Sequence, residues 1–411
     1  MTDALSRRAF MSRSALIGCS LAASPLLTPI SFAATPGENR LVVILLRGGM
    51  DGLDVVRPYG DPAFAALRRD AGLEAEDPAI DLDGFHAMHP ALRPLLPLWG
   101  NGQLGFAHAV STPYRDKRSH FDGQDLLEAG LSDPGNPSTR DGWLNRVLQH
   151  MDGTQAETAY AIGREQMSIL SGPATTQRWS PEADMILSPQ AIKLARLIMA
   201  EDPAFDAVFS QAMEIADTDG DTVAMSGSQD EMMMMVNQNA NEANKGSAER
   251  RIAEFAGKRL REECRIASFS INGWDTHQRQ DRSLPNALGR LSDTILTLQK
   301  TLTGPIWNKT TVVAVTEFGR TARINGSGGT DHGTGGLMIM AGGGLRGGRV
   351  ISDWPGLDEA QLYERRDLMP TRDLRAHIGW LLHSLFGLPT STIEASIFPG
   401  LDMGANPILL R

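Results

Sequence analysis

The chain has 411 residues, 41% of them hydrophobic and 21% charged, which is typical of a folded globular protein with a large core. The formal net charge of −10 argues against non-specific binding to nucleic acid or to anionic lipid as the main activity. Beyond the N-terminal region no segment stays apolar over the roughly 20 residues that a membrane helix needs. We therefore expect no integral membrane segment in the mature chain.

The N-terminal sequence SRRAFMSRSALIGCSLAASPLLTPISFAA has an arginine pair, a moderately apolar stretch and small residues around Ala33. This layout predicts a twin-arginine signal peptide over residues 1–33, export by the twin-arginine translocation machinery, and a periplasmic or secreted mature protein. The alternatives are a chance arginine pair before a buried helix, or lipidation at Cys19 in LIGC. Without the signal, Cys264 is the one remaining cysteine, so we expect no internal disulfide.

Short apolar segments rich in β-branched residues recur along the rest of the chain. We predict strands over residues 40–49, 103–110, 264–271, 311–319 and 336–343. A helix is predicted over 284–302, where apolar positions recur every three or four residues. Because helices alternate with strands that are apolar nearly throughout, the pattern predicts an α/β fold, a three-layer sandwich with a largely parallel central sheet.

One polar stretch, residues 217–250, interrupts this alternation. It is rich in Asn, Ser and Gly and contains four consecutive methionines at 232–235. We interpret it as a flexible insertion in a single domain that spans residues 35–411. The methionines form either a soft hydrophobic contact surface or a helix face that packs on the domain.

Acidic residues, imidazoles and glycines gather where the predicted strands end. The segments RGGMDGLD, NGWDTH and EFGRT each follow a strand, and GGTDHGTGG precedes the last one. They contain Asp51, Asp275, His277, Glu317, Arg320, Asp331 and His332. Ligands of such sheets bind beyond the carboxyl ends of the strands, so we expect these side chains at one edge.

Carboxylates and imidazoles suit a divalent cation. We therefore predict that the acidic and histidine residues of these segments bind one or two metal ions, without distinguishing zinc, manganese, iron or magnesium. The surrounding glycines let backbone pass close to the ion and to a substrate. The alternatives are that Asp275 caps a turn and that Glu317 pairs with Arg320.

The segment PYRDKRSHFDGQDLLEAG carries a candidate nucleophile. Ser119 precedes a predicted helix whose N-terminus favours a bound anion, and Arg118 adds positive charge. The same serine, three residues before Asp122, also suits an N-cap, and a substrate contact is a third alternative. His120 is a further candidate ligand or general acid.

In order, the motifs LRGGMDGLD, RSHFDGQD, NGWDTH, VTEFGRT and GGTDHGTGG resemble those of the bacterial domain-of-unknown-function family 1501 of twin-arginine-exported proteins. More distantly, the chain resembles the alkaline phosphatase superfamily of phosphatases, sulfatases and phosphomutases. That resemblance implies an alkaline-phosphatase-like fold with one or two metal ions at the carboxyl ends of the sheet. It also implies Asp51 as first ligand, Ser119 as nucleophile, Asp275 and His277 as a middle pair, and His332 as last ligand.

Two departures from the superfamily pattern affect the second metal site. The middle pair has the spacing Asp-x-His rather than Asp-x-x-x-His, and Glu317-Phe318 stands where an Asp-His pair is expected. The five segments together nevertheless favour an exported metal-dependent hydrolase of small phosphate or sulfate esters, in which Arg118 or Arg320 balances developing negative charge. The alternative is a non-catalytic exported binding or assembly protein that keeps the fold and a structural metal.

Overall fold

The computed structural model describes residues 37–68, 79–115, 117–132, 141–163, 167–180 and 247–411. All of them lie within one unit, Thr35–Arg411. The predicted signal peptide and residues 217–246 of the predicted insertion lie outside the described residues. Among the described helices none combines the length and the apolar character that a membrane crossing requires.

The strands of the described ranges form two sheets. They are β1 (Arg40–Arg47), β2 (Val56–Arg57), β3 (Ile80–Asp81), β4 (Ala87–Met88), β5 (Leu104–Ser111), β6 (Ala159–Ile162), β7 (Gln177–Trp179), β8 (Ile266–Asn272), β9 (Thr310–Val315), β10 (Gly336–Ala341), β11 (Val350–Ile351) and β12 (Arg372–Asp373). The main sheet has the order β11-β5-β10-β9-β1-β8-β6-β7, with β12 also paired to β5. Strands β2, β4 and β3 form a small antiparallel sheet.

Helices connect most of these strands. They are α1 (Gly52–Val55), α2 (Phe64–Leu67), α3 (Leu96–Gly100), α4 (His120–Ala129), α5 (Trp143–Gln149), α6 (Ser247–Leu260), α7 (Gln280–Trp307), α8 (Leu374–Phe386) and α9 (Thr390–Thr392). Short 3₁₀ turns occupy Pro90–Leu95, Ala156–Thr158, Ser168–Leu170 and Glu359–Gln361, and a π-helical turn occupies Ile393–Ile397. Regular α7 is interrupted at Thr303, where φ is 54°.

One strand of the main sheet runs against the others. Strand β10 pairs antiparallel with both β5 and β9, whereas every other pairing in this sheet is parallel. The start of β10 therefore lies at the edge where the parallel strands end. This orientation brings the loop before β10 beside the loops that follow β1, β8 and β9.

Alternate residues of the central strands face opposite sides of the sheet and enter two separate cores. In β1, Val42 and Ile44 join one core, while Leu41 and Val43 join the other. Helices α6 and α7 pack in the first core, and α5 and α8 pack in the second. Because both faces are covered, the strands are apolar almost throughout, and the predicted three-layer α/β fold is confirmed.

The predicted elements are all present, with ends shifted by a few residues. The five predicted strands correspond to β1, β5, β8, β9 and β10, and the predicted helix corresponds to α7. The short strands β6 and β7 were not predicted. They extend the sheet beyond β8.

We expect the substitution Leu291→Ala in α7 to lower the free energy of unfolding by about 2–5 kcal/mol, because it removes a fully buried side chain from the first core. Arg282→Ala, on an exposed position of the same helix, should change it by no more than about 0.5 kcal/mol. Urea unfolding of the mature chain measures both. Equal losses for the two variants would contradict this packing.

Candidate metal centre

Three histidines and one aspartate meet at the edge where the parallel strands end. They are His120, His277, His332 and Asp275, hereafter the Asp275 cluster. Nε2 of His277 lies 3.1 Å and Nε2 of His332 lies 3.5 Å from Oδ1 of Asp275. Nε2 of His120 lies 3.4 Å from Oδ2 of the same carboxylate. His277 and His332 are 55 positions apart in the sequence, yet their Nε2 atoms lie 2.9 Å from each other. The structure thus brings predicted site residues together.

Each of the three imidazoles is held from behind at its other nitrogen. Nδ1 of His120 is 2.8 Å from Oε1 of Glu317, and Nδ1 of His277 is 3.2 Å from Oδ1 of Asp331. Nδ1 of His332 is 2.8 Å from the backbone carbonyl oxygen of Arg118. Such outer contacts to carboxylates and carbonyls are the usual way in which metal-binding histidines are oriented.

These contacts fix which nitrogen carries the proton in the neutral rings. A carbonyl oxygen and an ionised carboxylate only accept hydrogen bonds, so each Nδ1 donates and each Nε2 presents a lone pair. Two lone pairs 2.9 Å apart, on His277 and His332, repel each other unless a cation lies between or beside them. Nε2 of His120 is buried and has no hydrogen-bond partner in the part of the chain described.

The charges around the cluster also favour a cation. Burial raises the pKa of Asp275, but the hydrogen bond and charge of Arg320 hold it below its usual value. Burial likewise opposes ionisation of Glu317, yet hydrogen bonds, first that from His120, lower its pKa, and a hydrogen bond from Asn325 lowers that of Asp331. Three carboxylates against one contacting guanidinium leave two negative charges when the histidines are neutral.

The histidines differ in their affinity for protons. The hydrogen bond to Glu317 raises the pKa of His120. Burial lowers the pKa of His332, which keeps its lone pair available. His120, Asp275 and His332 could hold a metal ion, since one ligand atom of each lies within 4.8 Å of the others. Imidazole nitrogen with carboxylate oxygen fits zinc, manganese or iron.

Two predicted ligands lie behind the cluster rather than in it. Glu317 is buried and accepts hydrogen bonds from the backbone N–H of Gly48 at 2.9 Å and from Thr316 Oγ1 at 2.9 Å, besides its contact with His120. Asp331 accepts from Asn325 and faces Nδ1 of His277. Their metal binding stays a prediction, and the contacts described here orient histidines.

Arg320, predicted to act on the substrate, is buried among protein acceptors. Its Nε donates to the carbonyl oxygen of Gly49 at 2.6 Å, and Nη1 donates to that of Thr330 at 3.0 Å. Nη2 contacts Oδ1 of Asp275 at 2.5 Å and also the carbonyl oxygens of Gly48 and Trp274. One guanidinium thereby joins the loops after β1, after β8 and before β10, and its contact with Asp275 places that carboxylate.

Asp51, the predicted first ligand, is fully engaged elsewhere. Its two oxygens receive Arg68 Nη1 at 2.5 Å and Nη2 at 3.0 Å, and Oδ2 also accepts from Gln280 Nε2 at 2.7 Å. Oδ1 caps α1 by accepting from the backbone N–H of Leu53. The structure does not bring Asp51 into the Asp275 cluster. Sequence reasoning missed Arg68 and Gln280, which belong to none of the quoted motifs.

Ser119 caps helix α4, as one of the two main alternatives predicted. Its Oγ accepts from the backbone N–H of Asp122 at 3.4 Å, and its own N–H donates to Tyr114 Oη at 2.7 Å. The residues on both sides of Ser119 touch the cluster, His120 through its ring and Arg118 through its carbonyl. Arg118 has φ of 54°, and its side chain contacts Glu364 at 3.3 Å. A nucleophilic role of Ser119 stays a prediction.

Backbone packing explains the glycines around Asp331 and His332. A Cβ atom at Gly329 would lie closer than 3.0 Å to the backbone of Thr276 and His277, and one at Gly333 equally close to the backbone of Arg320. The loop is therefore sandwiched between two other main chains. The missing side chains allow it to carry His332 to the cluster.

The protein is thus a three-layer α/β protein. Its central sheet is mostly parallel, and a cluster of histidines and one aspartate lies at the edge where the parallel strands end. The model of the family described as "Protein of unknown function (DUF1501)" matches residues 93–384, and the chain belongs to this family. No curated protein matches the sequence.

Several solved structures resemble the chain. A protein in the alkaline phosphatase superfamily from Vibrio parahaemolyticus is 12% identical, with a TM-score of 0.35, over 86% of this chain and 68% of that one. The C-terminal periplasmic domain of EcEptC from Escherichia coli is 10% identical, with a TM-score of 0.38, over 92% and 94%. Lipoteichoic acid synthase LtaP from Listeria monocytogenes is 8% identical, with a TM-score of 0.32, over 74% and 62%. The chain spans less than two thirds of LtaP, and the fold assignment rests on the sheet described above.

We expect Gly333→Ala to weaken metal binding at least about tenfold, because the new Cβ displaces the loop that carries His332. Gly289→Ala is the matched control, since nothing lies within 4 Å of its Cβ, and alanine should stabilise that helix by about 0.5–1 kcal/mol. Elemental analysis and titration of chelator-stripped protein measure the binding. Equal affinities in the two variants would contradict the packing explanation.

Proposed function

We propose that this protein is an exported, metal-dependent hydrolase of phosphate or sulfate esters, with its centre at the Asp275 cluster. The observation that carries the proposal is the arrangement of three imidazole Nε2 atoms around one carboxylate, each ring fixed from behind. The side chains of Asp275 and His277 are 46% and 39% exposed, so a dissolved ester can reach them.

The residues of the cluster would hold a single divalent cation, which polarises an ester oxygen and lowers the pKa of a water molecule when it is bound. Asp275 and the three histidines supply the ligand atoms, and Glu317, Asp331 and the Arg118 carbonyl keep the rings in place. The nitrogens of Arg320 all donate to protein oxygens, so we assign this residue to positioning Asp275 rather than to binding the substrate.

Positive charge for an anionic ester comes from the rim of the site. The guanidinium of Arg118 is partly exposed and pairs with Glu364, and Arg366, which pairs with Asp367, donates to the carbonyl oxygen of His332 at 2.6 Å. Ser119, at the start of α4, or a water molecule would attack the ester, with the helix N-terminus favouring the anion. Export by the twin-arginine machinery to the periplasm is proposed on residues 6–33 of the sequence alone.

The central test is turnover by the purified mature protein. Chelator-stripped protein is supplied singly with zinc, manganese, iron(II) or magnesium and assayed with aryl phosphates and aryl sulfates. We expect metal-dependent hydrolysis and a loss of kcat/KM of at least about a hundredfold in Asp275→Ala, because a lost ligand costs more than a lost outer contact. His150→Ala, an exposed histidine outside the cluster, should behave as the unaltered protein.

Two outcomes would count against the proposal. Absence of turnover with every metal and ester, with no effect of Asp275→Ala, removes the hydrolase. Metal that binds and raises the melting temperature without turnover favours the alternative, a non-catalytic binding or assembly protein with a structural metal.

The rim charge gives a separate prediction. We expect Arg118→Gln to raise KM for an aryl phosphate about two- to fivefold, as for an exposed charge, and to leave the metal content unchanged. The reason is that the carbonyl oxygen of this residue, rather than its side chain, contacts His332. Glu364→Gln, which frees the guanidinium, is the control and should not raise KM. Loss of metal in Arg118→Gln would show that the two roles are not separable.

A further inference from the structure

A buried amide lies directly beneath the two loops that carry the cluster. Gln280 is the first residue of α7 and is 2% exposed. Its Oε1 accepts hydrogen bonds from Thr276 Oγ1 and Thr330 Oγ1, both at 2.8 Å. Thr276 stands between Asp275 and His277, and Thr330 stands two residues before His332. One amide oxygen therefore contacts both loops.

The nitrogen of the same amide is bound to two buried acids. Nε2 of Gln280 donates to Oδ2 of Asp51 at 2.7 Å and to Oδ2 of Asp54 at 3.0 Å. Carboxylates paired with arginine only accept, so the amide nitrogen must face them and the oxygen must face the threonines. Both donor and both acceptor positions of the amide are used. Exchanging its oxygen and nitrogen would place acceptor against acceptor at the two carboxylates.

Two buried ion pairs fix the acids in turn. Asp51 is paired with Arg68, as described above, and Asp54 accepts from Arg57 Nε at 2.9 Å. Buried ion pairs stabilise a fold weakly, because the loss of hydration offsets their attraction, but removing one partner is strongly destabilising because it leaves a buried charge uncompensated. The motif RGGMDGLD thus supplies an anchor for the cluster from outside it.

We propose that Gln280 is a positioning residue of the metal centre, and that its amide sets the distance between the loop of Asp275 and His277 and the loop of His332. This inference rests on the proposed metal site. The two loops also meet through the backbone, where the N–H of Thr330 donates to the carbonyl oxygen of Thr276 at 3.0 Å. Hydrogen exchange of the backbone N–H of Thr330 therefore reports on the separation of the loops whether or not a metal is bound.

The test compares Gln280→Leu with Leu381→Ala. Leu381 is a fully buried residue of α8 in the second core, so its substitution should lower the melting temperature without changing the site. Zinc affinity of chelator-stripped protein is measured by competition with a chromophoric chelator. Hydrogen–deuterium exchange of peptides covering 274–280 and 327–334 is measured without metal. Thr276→Val and Thr276→Ser form a second pair, in which only serine keeps the hydroxyl.

We expect Gln280→Leu to weaken zinc binding about 10- to 100-fold and to accelerate exchange in both loops, while Leu381→Ala changes neither. Thr276→Val should fall between these, and Thr276→Ser should restore affinity to near that of the unaltered chain. Unaltered affinity and exchange in Gln280→Leu, or an equal loss in Leu381→Ala, would overturn the proposal. If the unaltered protein binds none of zinc, manganese, iron(II) and magnesium, the proposed metal centre fails, and the exchange comparison alone decides whether Gln280 holds the loops together.

Discussion

The site depends on one buried guanidinium. Arg320 donates to main-chain oxygens of three loops that are distant in sequence and simultaneously contacts Asp275. Loops of this kind have no regular pairing of their own, so their relative positions must be set by specific contacts. A planar group with five donors in fixed directions can satisfy several carbonyls at once, which a lysine ammonium could not do with the same geometry. The alternative that Glu317 pairs with Arg320 does not describe their contacts among the described residues: Glu317 holds the ring of His120, and Arg320 holds Asp275.

The sequence predicted the fold well because its strands are buried on both faces. Continuous apolar segments over 41–46 and 312–315 have few alternatives to central strands, and the glycines and acids after them mark where the strands end. An apolar segment does not show in which direction its strand runs, so the sequence did not predict that β10 is antiparallel. In a wholly parallel sheet, the loop before β10 would lie at the opposite edge, far from Asp275. The convergence of Asp331 and His332 with the other segments is correct because β10 is reversed.

Residue type and spacing predicted which kinds of side chain meet at this edge of the sheet, but not which contact each of them makes. Asp275, Glu317, Asp331 and Asp51 are all carboxylates in glycine-rich turns, and only their distances separate a group that faces the cluster from one that holds a ring or pairs with an arginine. The different contacts of Ser119 and His120 have the same origin. Adjacent residues at the start of a helix point in directions about 100° apart, so one caps the helix while the next reaches the cluster.

A metal ion bound at the Asp275 cluster, as proposed, would couple metal uptake to folding. Its side chains come from α4, from the loop after β8 and from the loop before β10, and they meet only once the main sheet has closed. An unfolded chain therefore cannot present the same ligand set, and a cation that binds the closed form stabilises it in proportion to its affinity. The contacts of Arg320 are buried and independent of any ion, so the folded chain already holds the four side chains of the Asp275 cluster close together. For a chain exported in the folded state, as residues 6–33 predict, such a preformed centre would allow the metal to be chosen before translocation, by supply rather than by affinity.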